Sequence, residues 1–290
     1  MSDAHGGSVT GARAADSGGV TDSGGSAGAS RISDAFKNLR AEGRRGFIPY
    51  ITAGDPDLET TRALIPELSR AGATLIELGV PFSDPVADGP TIQRASERAL
   101  RRGAGLSDVL ELLADARRET DVPVILFSYF NPLLQYGVER LASDAARAGA
   151  DGILATDLVP EESADFNAAL AGHGLDQIFL VAPTTSDARL QMIAERASGF
   201  VYAVSRAGVT GARTDLSAEA ARLVERVRAV TNLPVAVGFG ISSPEHVAEV
   251  WRYADAAVVG SALVSEIEKH AGQPDLVARV GAFARRLLPH

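Results

Sequence analysis

Eight short apolar runs, each followed by a stretch with helical character, narrow the folds open to this chain. They are "GFIPYIT" (46–52), "ATLIELG" (73–79), "VPVILFSY" (122–129), "DGILATDL" (151–158), "QIFLVAP" (177–183), "GFVYAVS" (199–205), "LPVAVGFG" (233–240) and "AAVVGSAL" (256–263). Between them lie amphipathic patterns such as 106–118, where Leu106, Val109, Leu110 and Leu113 fall on one helix face. Strands covered by helices on both faces read as continuous apolar runs, as these do. The tetrapeptide "RAGA" at 70–73 and 147–150 each time ends a helical pattern, with glycine near the C′ position, and opens a strand. Eight such units match the ~250 residues of a (β/α)8 TIM barrel, with a doubly wound open sheet as the runner-up. An extra N-terminal helix, "SRISDAFKNLRAEG", precedes the first strand, with Ser30 as N-cap and Ile32, Phe36 and Leu39 at helical spacing.

Of the 290 residues, 46% are hydrophobic, enough for one large core, so a single barrel domain over residues 30–290 is expected. Residues 1–29 are rich in Gly, Ser and Ala and are expected to form a disordered tail, or else a short partner-binding arm. They lack the apolar core of a signal peptide. A net charge of -9 and a pI near 5.1 argue against a nucleic-acid or anionic-membrane surface. No apolar run approaches the ~18 residues a membrane helix needs. With no cysteine there is no disulfide framework or thiolate metal site, and cytoplasm is the expected compartment. The five histidines show no ligand spacing, so no metal is expected.

In a barrel of this kind, ligand groups gather at the C-terminal ends of the strands. Glu77 lies near the end of the second run, inside "IELGVPFSDPVADGPTIQ" (76–93). If Ile76 and Leu78 pack outward on helices, Glu77 faces the barrel interior, where an ionised carboxylate is costly. It is either a structural acid with a buried partner or a catalytic one. Asp88 follows in a loop that Pro81, Pro85 and Pro90 stiffen, although aspartates also serve as ordinary turn residues. In the C-terminal half, "SRAGVTGA", "GFGISSPE" and "VVGSALV" place glycines where backbone N–H groups can approach an anion, the last two ahead of helices. Together they read as a phosphate site; singly, each glycine is an ordinary turn residue. The missing third glycine in "GFGISS" and the lack of a P-loop lysine exclude dinucleotide and ATP fingerprints.

With "FIPYITAGDPDLETT", "ILATDLVPEES", "YAVSRAGVTG" and "VGFGISSPEHV" added, the sequence over residues 31–285 resembles the alpha subunit family of tryptophan synthase. That resemblance implies a lyase cleaving indole-3-glycerol phosphate to indole and glyceraldehyde 3-phosphate. It implies Glu77 as the proton-transferring acid and Asp88 as the partner of the indole N–H, with Tyr202 and Thr210 flanking them. Phosphate would meet Gly211, Gly240, Gly260 and Ser261, with Arg206 nearby, and indole would meet Tyr50, Phe127, Leu154 and Phe239. The family often carries phenylalanine at the position of Tyr50, a smaller aliphatic residue at Phe127 and tyrosine at Phe130. No metal or organic cofactor is implied. The implied partner is a tryptophan synthase beta subunit in an alpha2-beta2 type assembly, met through the loop of Pro81, Asp84 and Pro85. A phosphosugar isomerase would explain the glycines and a buried acid, though not the Asp88 loop. A noncatalytic activator would need neither carboxylate.

Overall fold

A computed structural model of the chain describes residues 30–204, 213–238 and 240–289, with residues 213–217 described by their backbone alone. The expected tail, residues 1–29, lies outside the described residues. Eight parallel strands close into a barrel in sequence order: β1 (Gly46–Thr52), β2 (Ile76–Gly79), β3 (Val124–Ser128), β4 (Gly152–Ala155), β5 (Asp176–Val181), β6 (Val201–Val204), β7 (Val235–Gly238) and β8 (Ala256–Val259). The ladder closes where Gly46 pairs with Ala256 and Pro49 with Val259. The TIM barrel read from the sequence is therefore the observed fold.

Apart from β1, the strands are shorter than the apolar runs, which extend into the flanking turns and, after β8, into a helix. Only the first four residues of the "AAVVGSAL" run form β8, and Ser261 already begins the Ser261–His270 helix. Gly72 and Gly149, the "RAGA" glycines, have φ of 102° and 87°, the left-handed conformation that ends a helix without Cβ strain.

Two apolar layers sit on either side of the strands. The outer layer packs Ile76, Leu78, Val124 and Leu126 against helix residues such as Leu64, Leu68, Val109 and Leu113. Inside, Ile48, Leu75, Ile125, Leu154, Ile178 and Phe200 meet Ile32 and Phe36 of the Arg31–Ala41 helix. The extra N-terminal helix thus plugs the barrel at the starts of the strands. Ser30 caps it by accepting from Ser33 N and also donates to Asp176 at 2.7 Å, while Arg31 and Arg117 both pair with Asp151. With that end closed, the opposite mouth is where a ligand can enter.

Candidate active site at the C-terminal mouth

At the C-terminal ends of the strands a cavity of about 340 Å³ opens, lined by residues from β1, β2, β3, β6 and β8 and from the segments that follow β2, β7 and β8. Glu77 is among its lining residues. Its neighbours Ile76 and Leu78 point outward into the helix layer, so strand alternation aims Glu77 inward. The carboxyl is 1% exposed and burial pushes its pKa to about 8. Its Oε1 has no hydrogen-bond partner among the described residues. A structural acid would be tied up by a donor. This one is held neutral by its surroundings and turned toward the cavity.

Two tyrosines flank it. Tyr50 is opposite Glu77 in the β1–β2 register, and its ring meets Phe127 edge-on at 5.3 Å. Burial lifts its phenol far above the ordinary value, with the fields of Asp88 and Glu77 adding to the rise. Tyr202 on β6 is raised well above the ordinary value by burial, with smaller contributions from Glu77 and Tyr50.

Asp88 stands at the rim: it is half-buried, and its followers Gly89 and Pro90 line the cavity. Its loop turns back on itself through Val86 N donating to Asp84 O and Asp88 N donating to Pro85 O. Tyr129, just past β3, fastens that loop to the barrel. Its ring packs on Phe82 at 5.1 Å, and its hydroxyl oxygen accepts from Ala87 N at 2.9 Å, next to Asp88 in the chain. Burial raises the Asp88 pKa to about 6, against the lowering effect of the Tyr129 hydroxyl.

Gly240, Gly260 and Ser261 line the side of the cavity formed by the segments after β7 and β8. Gly260 is the N-cap of the Ser261–His270 helix and has no side chain to accept from the first turn. Its N–H groups and positive dipole end are left to face the cavity, the arrangement that suits an anion.

Of the residues singled out in the sequence, Tyr50, Glu77, Phe127, Tyr202, Gly240, Gly260 and Ser261 converge on this cavity, with Asp88 at its edge. Leu154 is fully buried in the inner barrel layer and is not among the lining residues. Arg206, Thr210, Gly211 and Phe239 lie outside the described residues. Pro81 and Asp84 line a separate surface hollow of about 490 Å³ with Asn131, Pro132, Gln135 and Tyr136, and Pro85 lies beside it in the same loop. Sequence reasoning missed Thr91, Ile92, Ile241 and Val258, which complete the cavity wall, and Tyr129. An aromatic directly after a barrel strand was the available signal for Tyr129. Among the described residues no group of three His, Asp or Glu side chains is placed to hold a metal, and no helix is long and apolar enough to cross a membrane.

The family model described as "Tryptophan synthase alpha chain" matches residues 36–287. The chain belongs to the tryptophan synthase alpha chain family. It is 52% identical over 257 residues to the alpha chain of Solibacter usitatus (strain Ellin6076), covering 89% of this chain and 96% of that one. It is also 52% identical to the alpha chain of Roseiflexus sp. (strain RS-1), with 89% and 99% covered. Among solved structures it is similar to tryptophan synthase subunit alpha of Legionella pneumophila str. Paris, with a TM-score of 0.82 at 41% identity, covering 89% of this chain and 97% of that chain. An aminoacrylate-bound tryptophan synthase from M. tuberculosis gives a TM-score of 0.79 at 40% identity, covering 89% and 100%. The resemblance drawn from the motifs is thus borne out, and with it the family's place in tryptophan biosynthesis as a lyase acting on indole-3-glycerol phosphate.

Proposed function

We propose that Glu77 and Asp88 carry the cleavage of indole-3-glycerol phosphate in this chain. The observation that carries the reading is Glu77 itself: a carboxyl 1% exposed, protonated at neutral pH, with an oxygen lacking any described partner and facing the cavity. Breaking the bond between indole C3 and the glycerol chain requires a proton at C3, which interrupts the ring's aromaticity and turns C3 into a leaving group. Glu77 gives that proton. Positive charge then develops at the indole nitrogen, and the Asp88 carboxylate, accepting from the N–H, stabilises it. As the carbon–carbon bond breaks, Glu77, now ionised, takes the proton of the adjacent glycerol hydroxyl and the aldehyde forms. One proton enters at carbon and one leaves from oxygen, so the acid is restored.

Tyr50, Phe127 and Phe239 would wall the indole, with Leu154 behind them, and Tyr202 and Thr210 would flank the reacting atoms. Phosphate would sit on the backbone of Gly211, Gly240, Gly260 and Ser261, near Arg206. The uncapped N-terminus at Gly260 supports that end. The reading needs no metal or organic cofactor, since every step is a proton transfer. It treats residues 30–290 as one domain, because the site draws on both halves of one closed barrel, and gives residues 1–29 no part. A cysteine-free acidic chain suits a cytoplasmic setting.

The partner in this reading is a tryptophan synthase beta subunit, in an alpha2-beta2 type assembly, docked at the catalytic mouth through Pro81, Asp84 and Pro85. Support comes from three exposed large apolar side chains, Val86, Leu134 and Val159, which lie in the segments after three consecutive strands. Steady-state assay of the purified chain with indole-3-glycerol phosphate, alone and with a beta subunit, tests the whole reading. Indole release that Glu77→Gln abolishes is the expected result, and an inactive wild-type chain would overturn it.

A further inference from the structure

Two helices bring their N-termini to the same cavity. Gly89, Pro90, Thr91 and Ile92 come from the start of the Pro90–Arg101 helix, and Gly260 and Ser261 from the start of the Ser261–His270 helix. One turn further along, Ala95 and Val264 meet buried Tyr50 in a small apolar cluster that also touches Ile92 and Phe127. Another turn along, apolar contact gives way to charge. Arg98 forks onto Asp55, with Nε donating to Oδ1 at 2.8 Å and Nη2 to Oδ2 at 2.9 Å, and its Nη1 donates to Glu268 Oε1 at 2.7 Å. Arg94 forks onto the same Glu268 at 2.9 and 2.8 Å.

Isolated surface ion pairs contribute little, but forked geometry and a network are the circumstances in which they hold position. Both apply here. Asp55 is 1% exposed in the segment after β1, and Arg98 is 24% exposed. The cluster therefore ties three segments together: the segment after β1, the helix that begins two residues after Asp88, and the helix whose N-terminus faces the anion side. The sequence separations, 43 and 170 residues, make it a tertiary clamp rather than a property of either helix.

We propose that Asp55, Arg98, Glu268 and Arg94 form a positioning clamp that sets the spacing between the indole end and the phosphate end of the substrate site. This rests on the site reading above. A ligand that spans both ends must match that spacing, while a ligand that occupies one end is indifferent to it. Misplacement of ~1 Å in a reacting pair costs on the order of 10²-fold, so a small change in spacing is readable.

Glu268→Gln is the sharper variant, because it keeps the side chain's shape, removes the charge shared by the two helices, and leaves buried Asp55 paired with Arg98. KM and kcat for indole-3-glycerol phosphate, competitive inhibition by indole and by inorganic phosphate separately, and the thermal midpoint are measured on wild type and variant. The expected result is a KM for the spanning substrate raised at least ~5-fold, with each one-ended inhibitor within ~2-fold of wild type and the thermal midpoint little changed. Arg98→Lys, which keeps the charge but gives up the fork, raises KM further and lowers kcat as well. An unchanged KM in Glu268→Gln overturns the clamp, as does equal weakening of substrate and both inhibitors, which marks general loosening. A wild-type chain that neither cleaves the substrate nor is inhibited by phosphate removes the site reading and the clamp with it. Normal wild-type behaviour beside an unaffected Glu268→Gln removes the clamp alone.

Discussion

Tyr50 lays its phenol over Gly79 of the neighbouring strand, so closely that a Cβ built on Gly79 would lie 2.2 Å from Tyr50 Oη. The same relationship recurs across the barrel, where a Cβ on Gly238 would lie 2.2 Å from Tyr202 Oη. In both pairs the tyrosine lines the cavity and the glycine ends the next strand, leaving room for the ring. Glu77 owes part of its dry surroundings to these two rings, since exclusion of water from a carboxyl is what holds it protonated.

Gly79→Ala should therefore displace Tyr50 and destabilise the fold by ~1–3 kcal/mol, the usual cost of overpacking. Chemical denaturation at fixed pH reads this directly. Tyr50→Phe should be nearly neutral alone, because the hydroxyl's contact with Thr52 Oγ1 is long, at 3.4 Å. It should not rescue Gly79→Ala, because ring carbons Cζ and Cε2 would still sit 2.6 and 2.9 Å from the new Cβ. Full rescue by Phe would show that the hydroxyl alone is what the glycine accommodates.

Glu77→Gln should lower kcat by at least ~10²-fold while the chain stays folded, since the amide keeps the shape but cannot cycle a proton. Stability has its own signature. The Glu77 pKa rises from about 4.5 to about 8 on folding, so the folded state holds a proton that the unfolded state has lost between those values. Its contribution is fully present below pH ~4.5 and is lost as pH rises toward ~8. Denaturation curves for Glu77→Gln should show a shallower fall in stability over that window, and kcat/KM of the wild type should decline above about 8 as the acid ionises. An identical pH slope in the two proteins would contradict the buried neutral acid.

Tyr129→Phe tests the fastening of Asp88. The Tyr129 hydroxyl lowers a carboxyl that burial has raised to about 6, so its removal should push that value higher. In the proposed reaction Asp88 works ionised, so the acid limb of kcat/KM should move to higher pH in the variant. A pH–rate profile compares the two limbs. With the ring's packing on Phe82 retained, KM should change less than the position of the limb.

The barrel was legible because the strands are mostly buried on both faces, β6 alone alternating buried with half-buried positions, and because left-handed glycines at 72 and 149 punctuate the units. Glu77 was legible because a charge inside an apolar run has few explanations. Strand ends were less so, since Gly260 to Leu263 continues the apolar run of β8 while the backbone has already turned into a helix. Tyr129 and Arg98 were hidden for a different reason. Their partners, Ala87, Asp55 and Glu268, stand 42, 43 and 170 residues away, and nothing local marks either residue as the anchor of a distant loop. Ile241 and Val258 read as ordinary core residues, and only closure of the barrel brings them to the cavity wall.

The loop from Pro81 to Asp88 joins two surfaces. Asp84 lines the outer hollow with Asn131 and Tyr136, Val86 is 87% exposed, and Asp88 sits at the rim of the cavity four residues after Asp84. Proline at 81 and 85 limits the loop's freedom, and backbone bonds from Val86 N to Asp84 O and from Asp88 N to Pro85 O link Asp84 and Asp88 through consecutive tight turns. A beta subunit seated on the outer hollow should bias Asp88 toward its working position, a coupling of ~1–3 kcal/mol, or ~5–150-fold in activity. Addition of a beta subunit should therefore stimulate indole-3-glycerol phosphate cleavage by the wild-type chain. Asp84→Ala removes an exposed side chain whose hydrogen bond is to its neighbour Ser83, so the isolated variant should cleave at the wild-type rate but respond less to the beta subunit. Asp88→Ala should abolish both basal and stimulated rates. Full stimulation of Asp84→Ala would place the communication elsewhere on the mouth, and no stimulation of the wild type would mark the chain as a free-standing lyase.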